Sequence, residues 1–213
     1  ELLDPERLAP EVIDLQEGLR ELGGIWGLAL SPTYLFATTT RLRAASPGAP
    51  YDRSHLLVFD RERLTLASDY TFQLGQDVHS LHFSDGVLYA VSTGTDEVLA
   101  LTIQGGAVSG EKVAWRPDPD GPREDRHHLN GITTLNGELV VSGFGRKDGV
   151  LWASAGNGFV ASLATGTVVV NHLRHPHSPI GLGSDLAYCD SATGTFRIAG
   201  TDRGRELSGY ARG

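Results

Sequence analysis

The sequence predicts an all-β protein, a β-propeller, on three observations. A short apolar strand, a polar turn and a second apolar strand recur four times along the chain. The recurrences lie about 50 residues apart, close to the roughly 40–50 residues of a propeller blade. No stretch carries a long apolar face at helical spacing, apart from a turn or two near residues 10–22.

The elements follow in order. The first pair is 25–30, turning at Ser31-Pro32-Thr33 into 34–38. The second is 78–83, turning at Ser84-Asp85-Gly86 into 87–92, and the third is 129–135, turning at Asn136-Gly137 into 138–142. The fourth is 177–182, turning at Gly183-Ser184-Asp185 into 186–190. Asp-Gly and Asn-Gly favour tight hairpins because both central residues of a type I′ turn need positive φ. Strands 56–60, 64–68, 97–101 and 158–162 extend the blades outward.

Aligned in this way, Trp26, His79, Asn130 and His177 share one position, at spacings of 53, 51 and 47 residues, and each precedes a small residue: Gly27, Ser80, Gly131 or Ser178. Blades therefore start near 25, 78, 129 and 177, and Tyr210-Ala211-Arg212-Gly213 reads as the start of a fifth near 210, with Arg212 in the aligned position. Residues 1–24 form an N-terminal segment, in which 11–15 reads as an outer strand of the closing blade. A propeller must close to cover its terminal sheet faces. The expectation is a ring of about six blades, completed by further C-terminal blades or by pairing in a homo-oligomer.

Composition narrows the function. The 213 residues carry 18 basic and 26 acidic side chains, a formal charge of -8, which argues against nucleic acid as a partner. No apolar run approaches the roughly 18 residues of a membrane-spanning helix, so no membrane partner is expected. A single cysteine, Cys189, allows no internal disulfide and no cysteine-rich zinc cluster. A cytoplasmic location is expected, with a secreted or periplasmic one left open because Glu1 is not an initiator methionine.

In a propeller the inner strand of each blade lines the axis, so its first residues converge on one mouth. Trp26, His79, Asn130, His177 and Arg212 would then form a polar funnel for a small polar, anionic or sugar-like ligand. Arg212 would fork onto an anionic group and Trp26 would stack on a ring. His79 and His177 are the candidate catalytic bases of a lyase or hydrolase, with Trp26, His128, Asn130 and Arg212 as ligand-binding residues. A divalent metal ion on the axis is a further expectation, held by His79 and His177 with His128 or His175 as a third ligand. The alternatives are a metal-dependent lactonase-like hydrolase and a non-catalytic scaffold that holds a protein partner at its blade edges.

Several motifs resemble an uncharacterised bacterial propeller family known only as a domain of unknown function. They are His127-His128-Leu129-Asn130-Gly131, His175-Pro176-His177-Ser178-Pro179, Cys189-Asp190-Ser191-Ala192-Thr193-Gly194 and Gly209-Tyr210-Ala211-Arg212-Gly213. The resemblance covers roughly residues 78–213; it implies further propeller after the Arg-Gly pair and assigns no reaction. Asn130-Gly131 is also similar to the metal-ligating blade start of the gluconolactonase and regucalcin group. There the first-blade carboxylate ligand is replaced here by Trp26, and the other aligned positions hold histidines.

The remaining features have plainer expectations. Strict alternation along a strand turns His82 away from His79 and into the blade interface, and it separates Ser178 from His177, which argues against a Ser-His nucleophile pair. Asp77 and Asp190 are possible orienters of the histidines, although Asp77 should point away from the axis. His55 and His172 read as surface residues of outer strands, and Cys189 as a small buried hydrophobe. The glycine-rich stretch 143–149 lacks the Walker lysine and reads as a blade-edge turn. The Pro- and Asp-rich loop 115–126 reads as a flap over the funnel or a solvated connection, as does 41–53.

Overall fold

The computed structural model describes residues 22–41, 53–201 and 203–207. These form four antiparallel four-stranded sheets, each a simple meander. Blade 1 contains β1 (Leu22–Leu30), β2 (Tyr34–Arg41), β3 (Arg53–Asp60) and β4 (Leu66–Gln76). Blade 2 contains β5 (Val78–Ser84), β6 (Val87–Ser92), β7 (Glu97–Gln104) and β8 (Ala107–Trp115). Blade 3 contains β9 (Leu129–Leu135), β10 (Glu138–Gly143), β11 (Gly158–Ser162) and β12 (Val168–Leu173). Blade 4 contains β13 (Pro176–Leu182), β14 (Asp185–Asp190), β15 (Thr195–Ile198) and β16 (Gly204–Glu206). The inner strands β1, β5, β9 and β13 pack in succession, so the propeller expected from the repeat is the fold observed. Tyr210 to Gly213, the expected start of a fifth blade, and the expected strand at 11–15 lie outside the described residues.

Local chemistry explains the hairpins. Asp85 and Gly86 have φ of 51° and 80°, and Asn136 and Gly137 have φ of 51° and 81°, the paired positive values that a type I′ turn requires. Period-two alternation then assigns each sheet face. In blade 1, Phe36 pairs with Val58 and Thr38 with Leu56 on one face, while Leu35 pairs with Phe59 and Ala37 with Leu57 on the other.

The core is divided among the blade interfaces. Phe36, Leu56, Val58 and Phe72 of blade 1 meet Leu81, Leu88, Leu99 and Leu101 of blade 2. Val91 and Val98 of blade 2 meet Leu129, Ile132 and Val141 of blade 3. Val140, Val160 and Leu173 of blade 3 meet Leu186 and Tyr188 of blade 4. Each fully buried leucine or phenylalanine contributes about 1.5–3 kcal/mol relative to exposure. A polar latch closes the outer side of the first interface: the Glu111 carboxylate on β8 accepts hydrogen bonds from Tyr70 Oη and from the backbone N–H groups of Gln73 and Leu74. Burial and the Glu111 charge push the Tyr70 hydroxyl up to about 12.

Each blade also captures the first carbonyl of the next. Thr38 Oγ1 donates to the Val78 carbonyl, Thr93 Oγ1 to that of Leu129, and Asn130 Nδ2 to that of Pro176. The residue before each captured carbonyl bends the chain at positive φ: Asp77 at 51°, His128 at 53° and His175 at 58°. At the two ends of the series an apolar strip stays exposed, Leu28 and Leu30 on β1 and Ile180 and Leu182 on β13. Among the described residues no helix is long and apolar enough to cross a membrane.

Candidate functional site

The site is built by a defect repeated in every blade. In β1 two residues, Trp26 and Gly27, oppose the single residue Thr38. In β5 His79 is the extra residue between Val78 and Ser80, whose partners Ser92 and Val91 are adjacent. In β9 the extra residue is Asn130, and in β13 Ser178 and Pro179 oppose Tyr188 alone. A bulge frees a residue from the ladder and re-aims its side chain. The result is a cavity of about 300 Å³ lined by Trp26, His79, Ser80, His128, Asn130, His177 and Ser178, among others. A larger groove of about 540 Å³ between blades 2 and 3 contains Trp115 and Arg116 but no imidazole.

Each histidine of the mouth is held by a partner. His79 Nε2 lies 3.1 Å from an Asp77 carboxylate oxygen, and its ring stacks on Trp26 at 5.4 Å and 12°. Asp77 does not point away from the axis as strict extension implied: its φ of 51° turns the carboxylate back toward the second residue on. His128 Nδ1 lies 3.2 Å and 3.3 Å from the two Asp125 oxygens. His177 Nδ1 lies 2.8 Å from Ser191 Oγ and 3.1 Å from the His175 carbonyl. Ser191 is thus a partner of His177 that the sequence did not suggest. Asp190, the expected orienter, instead accepts the Arg174 backbone N–H at 2.6 Å.

Asn130 lines the cavity, and its amide also makes hydrogen bonds within the fold. Its Oδ1 accepts from Ser142 Oγ at 2.7 Å while its Nδ2 donates to the Pro176 carbonyl at 2.8 Å, and the residue is only 6% exposed. The side chain therefore joins blade 3 to blade 4. Arg212 lies outside the described residues. Among the described residues no group of three or more His, Cys, Asp or Glu side chains is placed to hold a metal ion. His175 in particular does not line the cavity: its φ of 58° carries the ring to the Trp152 carbonyl, 2.9 Å from Nε2.

The stretch read as a plain blade-edge turn is the connection from β10 to β11, and it supplies an aromatic wall. Phe144 is buried and lies 4.5 Å from the His128 ring, 4.3 Å from that of His175 and 5.1 Å from that of His177, centroid to centroid. Trp152 sits 4.6 Å from the His128 ring and 5.9 Å from that of Phe144, with Lys147 Nζ 4.5 Å above the indole. The aromatic residues of a long glycine-containing loop were the available signal, but nothing in the sequence shows where such a loop folds back.

The loop between β8 and β9 is tied to blade 2 and to itself by hydrogen bonds. The Arg123 guanidinium forks onto buried Glu97 at 2.7 Å and 2.8 Å, and this pair raises the arginine further above its ordinary value. Arg116 holds the carbonyls of Pro119, Gly121 and Pro122. The buried Asp96 carboxylate accepts the N–H groups of Arg126 at 2.8 Å and His127 at 2.6 Å, and lies 3.0 Å from His127 Nδ1. Most of the 41–53 loop lies outside the described residues.

The other titratable residues are structural. His82 packs between blades, with Nε2 2.7 Å from Thr134 Oγ1 on β9. His55 is not a solvated surface residue: it is half-buried, with Nδ1 3.2 Å from Thr71 Oγ1. His172 is exposed, and Cys189 is buried with its thiol pushed up by desolvation. Burial also holds His82 and His175 below the ordinary imidazole value of 6.5, in His175 against a smaller opposing pull from the Trp152 carbonyl. Between the depressed folded values and 6.5 the unfolded chain binds more protons than the folded one. Their contribution to stability is therefore complete above about 6.5 and is lost as pH falls through the folded values. Thermal melting should drop by several degrees from pH 7.5 to pH 5, and a His82→Gln/His175→Gln double variant should melt with a shallower pH slope; equal slopes would contradict this.

Fold and site together define a propeller with a polar, histidine-lined axial mouth. No protein-family model and no curated protein matches the chain. Among solved structures it is similar to U3-55K, with a TM-score of 0.54 at 11% identity over 88% of this chain and 54% of that one. It is similar to the β-propeller domain of Cps50 (Swd1) from Myceliophteria thermophila, with a TM-score of 0.51 at 12% identity over 82% and 51% of the two chains. A luciferin-regenerating enzyme is a third such structure, with a TM-score of 0.52 at 12% identity over 87% and 64%. The chain thus spans between about half and two thirds of these structures' own length. At such identities the likeness establishes the propeller fold, and neither sequence resemblance gains support beyond it.

Proposed function

We propose that the chain binds a small sugar-like or anionic molecule in its axial mouth, with His79 and His177 as the acid–base groups of lyase or hydrolase chemistry there. The observation that supports this reading is the repeated bulge. Four inner strands each break their ladder at the aligned position or just after it, and the freed residues line one cavity with three imidazoles and an indole. A scaffold that binds through its blade edges gives no reason for that concentration on the axis. The pairing of His79 with Asp77 has the form of a base held by a carboxylate, which fixes the orientation of the ring. Trp26, 48% exposed and stacked on His79, offers a flat surface for a ring. Arg212 is proposed as the clamp on an anionic group.

The test is a titration with glucuronate, gluconate and inorganic phosphate, followed by calorimetry and by tryptophan fluorescence. One of the three should bind with a change in fluorescence that Trp26→Phe removes. His79→Ala and His177→Ala should each weaken that binding about tenfold or more, the loss of a hydrogen bond to a charged group. Binding left intact in both variants would remove the axial mouth from consideration.

A further inference from the structure

Nine non-glycine residues among those described have positive φ, and several have an evident reason. Asp85 and Asn136 occupy hairpin turns, and Asp77, His128 and His175 are the corners that start the inner strands. Ser178 belongs to the β13 bulge, where a left-handed residue is ordinarily glycine. It lies inside β13 at a φ of 49° and precedes a proline, whose ring drives the preceding residue toward extended backbone. A residue with a Cβ pays a conformational penalty there. Packing enforces it: Pro179 is buried and lies so close to Gly131 that any Cβ on that glycine would come 2.4 Å from Pro179 Cδ.

The bulge also undoes the alternation that separated Ser178 from the histidines. His177 and Ser178 both line the axial cavity, together with His79 and His128. Ser191 is closer to an imidazole, at 2.8 Å from His177 Nδ1, but it is 1% exposed and does not line the cavity. Ser191 holds His177, whereas Ser178 is half-buried at the cavity wall. Backbone strain that persists at such a wall points to use, because packing elsewhere has to maintain it.

We propose that Ser178 is an acyl-accepting nucleophile of the axial mouth, an inference that rests on that cavity being the ligand site. Ser178 Oγ attacks the carbonyl carbon of a small polar ester. The Oγ–C bond forms, the bond to the alcohol oxygen breaks, and the hydroxyl proton passes to a cavity imidazole and then to the departing alkoxide. Water, deprotonated by the same imidazole, attacks the acyl group and releases the acid, and the proton returns to Ser178 Oγ.

The full chain is treated with a small fluorophosphonate, which forms an Oγ–P bond with loss of fluoride. Intact mass should show one adduct per chain, mapped to Ser178, absent in Ser178→Ala and slowed at least tenfold in one or more of His79→Ala, His128→Ala and His177→Ala. Ser178→Gly should also lose the adduct while melting roughly 2–4 °C higher, since glycine relieves the left-handed backbone. No adduct on Ser178, or one that survives Ser178→Ala, overturns the proposal. If glucuronate, gluconate or phosphate binds without labelling, the nucleophile falls and the binding site stands; labelling without such binding leaves Ser178 and removes the ligand class.

Discussion

Gly181→Ala is expected to cost about 3 kcal/mol, the upper part of the range for overpacking. An added Cβ would lie 1.9 Å from the Thr134 carbonyl oxygen, and a backbone atom has no rotamer by which to move aside. The methyl group must therefore push β13 off β9. That would also strain the hydrogen bond from the Gly181 N–H to Thr133 Oγ1 and the nearby seat of Pro179 on Gly131. Urea unfolding should show a clearly lower midpoint, and limited proteolysis should cut blade 4 first. A variant that melts within a degree of the parent would mean that blade 4 docks less tightly than these distances imply.

Asp96→Ala should be at least as damaging, at about 3–5 kcal/mol for stripping the partner from buried polar groups. The carboxylate is the acceptor for the N–H groups of Arg126 and His127, and its other oxygen lies 3.4 Å from that of Leu129. All three would be left in a site too enclosed for water to replace it fully. Asp96 also sits at a φ of 52°, which asparagine tolerates at least as well as aspartate. Asp96→Asn should therefore recover part of the loss and separate the backbone requirement from the charge. Trypsin would report the change directly, through faster cleavage at Arg123 and Arg126. Because the same loop delivers Asp125 to His128, ligand binding at the mouth should weaken along with stability.

The fold was legible because it is made by local rules repeated at a fixed period. Short apolar runs mark β6, β7 and β10, and Asp85-Gly86 and Asn136-Gly137 mark the turns between strands. The shared position of Trp26, His79, Asn130 and His177 was legible from spacing alone, and all four line one cavity. Orientation was not legible. Facing arguments assume an unbroken period of two, and the bulges break it where they were applied, at His79 and Ser178. The corners at Asp77, His128 and His175 carry no glycine to announce positive φ. The tie that Asn130 makes between blades was not legible either, because its partners, Ser142 and Pro176, come from a second strand and the next blade. Phe144 and Trp152 reach the histidines through a loop whose return path depends on Gly145, at a φ of 77°, and on packing that exists only in the assembled blades.

The extra residue in each inner strand has a consequence for how such a protein can diversify. A side chain in a regular ladder answers to its cross-strand neighbour, so exchanging it disturbs the sheet. His79 has no opposite number in β6, and Trp26–Gly27 and Ser178–Pro179 each share a single one. Substitution at Trp26 or His79 leaves the pairing around it intact; Asn130, tied to the following blade, and Gly27 and Pro179, packed against neighbouring strands, are the exceptions. The mouth thus keeps a few exchangeable slots on a fixed frame, and its chemical preference can be rewritten there without re-pairing the strands.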